Sequence, residues 1–280
     1  MELRYCRTIV QFALMLGLQS APVHSQEYGS AVVSDVLPHI QKNVEALRTL
    51  VPDFICDERV TDQNINKGKV TREKVVVSQY RVIRKDSPIP NAFPTFIESR
   101  EVKTATINDK AKTLSKYEPP IGVEGGFCND LFVLFDKENE KCFNYILDGS
   151  EKLRDRTALI LQINTKENVK SIGGRCKVFG PGNKNTAWID SESMQVMRLQ
   201  AAPVKYGESR VPLPIFENYF IHRLIDYAKT IIDGSSYWLP VVKHVEFIKA
   251  KSQQPGSLWV LDYSNYHMFQ VSTKIKYRTD

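Results

Sequence analysis

The sequence lacks the short patterns that mark the common catalytic and metal sites. No G-x-S-x-G elbow is present, so the usual serine-hydrolase nucleophile turn is excluded. No H-E-x-x-H occurs, and there is no C-x-x-C pair with a histidine at ligand spacing, which argues against a zinc site. The segment Gly180-Pro181-Gly182-Asn183-Lys184 has the glycines of a phosphate loop. It lacks the Gly-Lys-Ser/Thr ending and leads into a strand rather than a helix. Internal repeats and low-complexity tracts are also missing. Charge is close to balanced, at +6 over 280 residues. A mildly basic surface is compatible with an anionic envelope surface of lipid or polysaccharide, but does not demand one. Nucleic acid is not expected as a partner, and no residue set calls for a cofactor.

Long hydrophobic runs are scarce as well. The one that stands out covers residues 8–18, follows Arg4 and Arg7, and precedes Val23 and Ser25 in the small-residue spacing that signal peptidase accepts. At 11 residues it is far shorter than the roughly 20 a spanning helix needs. Residues 1–25 therefore read as a cleaved secretory signal and 26–280 as one exported domain, periplasmic or secreted, with no transmembrane span. Cys6 lies before the apolar run, where it cannot carry a lipid anchor. Removing the signal leaves 36 Lys+Arg against 31 Asp+Glu.

Four cysteines remain: Cys56, Cys128, Cys142 and Cys176. An even number in an exported chain predicts two disulfides. Proximity in chain order favours Cys142–Cys176, which leaves Cys56 with Cys128. The rival pairing is Cys128–Cys142. A Cys-His nucleophile would need a free thiol, which export disfavours.

Apolar periodicity predicts one good helix, residues 34–50, with Val36, Leu37, Ile40, Val44, Leu47 and Leu50 on one stripe. Ser34 is placed to cap it, and Pro38 is tolerable only in the first turn, so the helix should begin near residues 35–37. Strands are predicted over 54–60, 73–84, 95–107, 142–147, 157–163, 217–232, 237–251, 258–263 and 269–278. A hairpin is predicted over 186–200, turning at Asp190-Ser191-Glu192-Ser193. Residues 129–137 read as a short buried helix. Asp233-Gly234 is a strong hairpin turn. The whole is a mainly β (α+β) chain: a curved antiparallel sheet, or incomplete β-barrel, with the N-terminal helix packed in its concave side. Val76, Tyr80 and Val82 on one face of the second strand and Val75, Val77 and Ile83 on the other require cover on both faces.

The helix, then VPDFICDERV (51–60), FDKENEKCFNYILDGSEKLRDRTALILQI (135–163), TAWIDSESMQVMRL (186–199) and SSYWLPVVKHVEF (235–247) resemble a group of exported bacterial proteins. The specific pieces are Trp188-Ile189-Asp190 and Tyr237-Trp238-Leu239-Pro240. The group's fold is similar to that of the periplasmic lipoprotein carriers of the Lol system, a curved sheet with helices in its mouth. The resemblance implies that fold and brings no established activity with it.

Two kinds of site follow. A half-barrel would hold an apolar ligand, a lipid or acyl chain, among Phe132, Phe135, Trp188 and Tyr219. Alternatively its interior is filled by its own side chains and the domain is structural. A third reading, a hydrolase, would rest on His244 and Glu246, which stand two apart on a strand and share a face. On the last predicted strand, Lys274, Lys276 and Arg278 alternate with apolar residues. That arrangement suits edge protection or contact with anionic headgroups.

Overall fold

A computed structural model describes residues 33–88, 93–113, 127–205 and 219–269. The segment expected to be a signal, residues 1–25, and the strand predicted over 269–278 lie outside them, apart from Phe269. Helix α1 covers Val33–Leu50. Strands β1 (Phe54–Asn66), β2 (Lys69–Lys85), β3 (Thr95–Ile107) and β4 (Lys110–Ala111) follow. Helix α2 (Asn129–Phe135) runs into a 3-10 turn, Lys137–Cys142. Strands β5 (Phe143–Leu153) and β6 (Arg156–Thr165) come next. They are followed by the single-turn α3 (Val169–Ile172), a 3-10 turn Gly174–Val178, β7 (Lys184–Asp190) and β8 (Val196–Lys205). The series ends with β9 (Tyr219–Ile232), β10 (Ser235–Lys249) and β11 (Pro255–Met268).

All eleven strands form one antiparallel sheet in the order β4-β3-β2-β1-β11-β10-β9-β8-β7-β6-β5. It is a meander except at one seam, where β1 pairs with β11. Four hairpins turn through two residues that both have positive φ: Lys67-Gly68, Asn108-Asp109, Arg154-Asp155 and Asp233-Gly234. That is the requirement of the type I′ turn, whose twist matches the flanking strands. Among the described residues, β4 and β5 are the edges.

One face of the sheet carries the helices. On β1, Phe54, Cys56, Glu58 and Val60 are buried while Asp57 and Arg59 are exposed. On β2, Val76, Ser78, Tyr80 and Val82 are buried, whereas Val75, Val77 and Ile83 are only half-covered. The cover expected on both faces is thus complete on the concave one alone. Val36, Leu37, Ile40, Val44 and Leu47 of α1 share one core with Leu131, Phe132, Leu134 and Phe135 of α2 and with inward residues of β1, β2 and β5–β10.

Two sequence expectations shift in detail. α1 starts at Val33, so Ser34 lies inside the helix and bonds to Asp35 rather than capping the start. Pro38 is the sixth helical residue, where it costs one backbone hydrogen bond in a helix held by its buried stripe. The other concerns the cysteines. Cys142 and Cys176 form a disulfide, with Cα atoms 5.4 Å apart. The second bridge, Cys56–Cys128, is not formed: both are free, buried thiols. Cys56 lies on β1 beside Tyr266, whose hydroxyl donates to the Pro240 carbonyl, while Cys128 precedes α2.

Candidate functional site

An open cavity of about 700 Å³ lies at the helix-bearing mouth of the sheet. The start of β3 supplies Thr95, Phe96 and Glu98, and α2 with its approach supplies Phe127, Asn129, Phe132 and Val133. The 3-10 turn after α3 adds Arg175, Val178 and Phe179, while Arg48 reaches in from the end of α1. The aromatic wall is continuous. Phe96 stacks on Phe132 with ring centroids 5.8 Å apart, and Phe127 meets Phe96 edge-on at 5.2 Å. The disulfide fixes the opposite rim, because Cys176 lies in the turn that bears Arg175 and Val178. Val178 is 56% exposed, an apolar side chain held open at the entrance.

Two arginines stand at this rim. Arg48 lies 3.7 Å from Asp136, and its guanidinium sits 4.1 Å from the centre of the Phe93 ring. Its Nε is buried without a hydrogen-bond partner. Burial lowers its pKa, Asp136 opposes that, and Arg175 adds to it. Arg175 lies 3.5 Å from Asp136 and 3.0 Å from Glu138.

Glu98, Phe127 and Asn129 also wall a second, much smaller chamber of about 30 Å³, deeper under α2. Its other walls include Tyr80, Arg100, Cys128, Asp130, Tyr227, Lys243, Tyr263 and Tyr266. The chamber is polar in the middle of an apolar face. One row of paired residues crosses that face: Leu161, Ala187, Leu199, Ile225, Lys243, Leu261, Val60, Val76 and Ala105. Lys243 is the only polar residue in the row. The bulge at Val241, after Pro240, sets the register that turns Lys243 inward.

Most charges around the chamber are already matched. Glu58, fully buried, receives two hydrogen bonds from Arg100, from Nε at 2.6 Å and from Nη2 at 3.0 Å. Burial alone would lower the Arg100 pKa, but the bonds and charge of Glu58 more than offset it and raise it. Glu98 accepts from the backbone N–H of Phe127 at 2.7 Å and from the hydroxyl of Tyr80. Asp130 lies 3.2 Å from Arg223. Lys243 is different. Its ammonium makes no hydrogen bond and no ion pair among the described residues, and burial pushes its pKa down against the opposing pull of Asp130. Tyr227 is fully buried and its hydroxyl has no partner. An unmet buried hydroxyl costs about 1–3 kcal/mol.

The residues expected to line an apolar site are divided. Phe132 lines the large cavity and Phe135 lies beside it in the core. Trp188 is on the other face of the sheet, where it donates to Glu151 and lies near the Arg198 guanidinium. Tyr219 packs at the far end of β9 against Gly256, whose lack of a Cβ admits the ring. His244 and Glu246 do share a face, and Glu246 stands opposite His222 across the β9–β10 ladder. That face is the one turned away from Lys243 and both cavities. Among the described residues, no group of three or more His, Cys, Asp or Glu side chains is placed to hold a metal.

Glu58, Arg100, Tyr227 and Lys243 do not stand out in the sequence. The signal that marks them is an ionisable residue in an inward-facing series: Glu58 between Cys56 and Val60, and Lys243 before Val245 and Phe247. Neither can be read as a chamber without knowing which strands adjoin.

No protein-family model and no curated protein matches the chain. Solved structures do. The chain is similar to a LolA superfamily protein from Nitrosomonas europaea, at 13% identity over 84% of this chain and 94% of that one, with a TM-score of 0.40. It is similar to a putative outer membrane lipoprotein-sorting protein domain from Vibrio parahaemolyticus, at 12% identity, 87% and 95% coverage and a TM-score of 0.44. A DUF1329 family protein from Desulfovibrio piger follows, at 13% identity, 84% and 92% coverage and a TM-score of 0.36.

Proposed function

We propose that this chain is an exported, non-enzymatic carrier that shelters an apolar chain, a lipid or acyl group, in the mouth of its half-barrel. The observation that supports this most is the cavity of about 700 Å³ walled by Phe96, Phe127, Phe132 and Phe179. Its size lies within the roughly 300–1,000 Å³ typical of small-molecule sites. A domain that fills its own interior leaves no such space, which is the reason to prefer a carrier over a purely structural role. The arginines at the rim and the exposed Val178 suit an amphiphile that enters from a membrane surface. Export itself rests on the residues 1–25 pattern.

Native mass spectrometry of protein purified from the envelope of its own host tests the reading. We expect a mature chain beginning at or near Gln26 that carries added mass in the range of one lipid, lost on denaturation. A bare chain that also fails to quench or enhance a fluorescent fatty-acid probe would overturn it.

A further inference from the structure

We infer that the small chamber is a headgroup site: Lys243 and Tyr227 receive the carboxylate of a single-chain acid whose tail lies along the phenylalanine wall. The inference rests on the carrier reading and names the ligand class.

Three observations carry it. Two of the chamber's groups make no hydrogen bond among the described residues, the Lys243 ammonium and the Tyr227 hydroxyl. Both are donors, so the missing partner is an acceptor, and the unpaired ammonium asks for an anion. The carboxylates nearby are already engaged, Glu58 and Glu98 by Arg100, Phe127 and Tyr80, and Asp130 by Arg223. Asp130 and Glu98 attract Lys243 from a distance, but among the described residues neither forms an ion pair with it. Size is the second observation. About 30 Å³ accommodates roughly two waters, the bulk of a carboxylate's two oxygens, and is too small for a phosphodiester head. Position is the third. Glu98, Phe127 and Asn129 wall both spaces, so a head in the small one leaves its chain facing the large one. Tyr263 lines the same chamber, and burial raises its pKa, which keeps its hydroxyl protonated as a further donor.

Calorimetry on the full mature protein, stripped of co-purified lipid on a hydrophobic resin, provides the test. Dodecanoate and its uncharged methyl ester are compared on wild type, Lys243→Met and Tyr227→Phe. Wild type should bind the acid at least about tenfold more tightly than the ester. Lys243→Met should remove that preference while leaving ester affinity within about twofold, and Tyr227→Phe should reduce it by a smaller factor. Equal binding of acid and ester by wild type overturns the headgroup site and leaves the carrier standing, the chamber then holding water only. A preference that survives both substitutions overturns it likewise. Binding of neither probe overturns the carrier reading and this inference together. If Lys243→Met does not fold, the wild-type comparison and Tyr227→Phe still decide.

Discussion

Glu58 occupies a position that the alternation of β1 assigns to an apolar side chain, and it is fully buried there. A carboxylate in that place is tolerable because Arg100, opposite Tyr80 on β3, brings a two-pronged guanidinium within 2.6 Å. Such a pair is weak grounds for net stability but costly to break. Arg100→Met should therefore destabilise the fold by about 3–5 kcal/mol in urea unfolding, because it strands the Glu58 charge. The double change Glu58→Met with Arg100→Met should recover most of that loss. A double variant as unstable as the single one would show that Arg100 matters for its contact with the Tyr80 ring, 4.4 Å away, rather than for charge. The sequence displays the odd residue in each strand but not its partner. Glu58 and Arg100 are 42 apart in the chain and meet only because β2 lies between their strands. His244 and Glu246 are chemically familiar residue types two apart on one face, whereas Lys243, next to His244, lies on the face that lines the interior chamber.

At the scale of elements, α1 is fastened as well as packed. The hairpin of β7 and β8 turns at Asp190, whose carboxylate accepts from Arg156 at 2.6 Å and from the Ser193 hydroxyl. Met194 adopts a positive φ in this turn, which leaves the carbonyls of Ser193 and Met194 free to receive Asn43 of α1, each at 2.9 Å. The helix, the hairpin turn and Asp190 were legible as separate sequence features. Their junction was not, since it joins residues about 150 apart. Asn43→Ala should cost about 1–2 kcal/mol, from two hydrogen bonds of which one is partly buried. Hydrogen exchange should accelerate in α1 before it does in β7 or β8. Uniform acceleration across all three would mean that the buried stripe, Val36 to Leu47, holds α1 without the clamp.

The molecule as a whole depends on one non-local seam. Strands β5 to β10 pair with sequence neighbours, and so do β1 to β4, but the two arms join only where β1 meets β11, from Phe54 opposite Met268 to Asn64 opposite Ser257. The interior chamber straddles that seam. Tyr80, Glu98 and Arg100 come from one arm, Tyr227 and Lys243 from the other, and Tyr263 and Tyr266 from β11 itself. A ligand site of this kind cannot form before the seam does. Closing a loop of this length must be paid in chain entropy before its contacts reward it, which places folding in the range of milliseconds to seconds. Refolding followed by pulsed hydrogen exchange should show amides of β6, β7 and β8 protected first and those of β1 and β11 last. Recovery of probe binding should coincide with the late phase. Early protection of β11 against β1, or binding that returns with the first phase, would place the chamber within one arm and contradict this order.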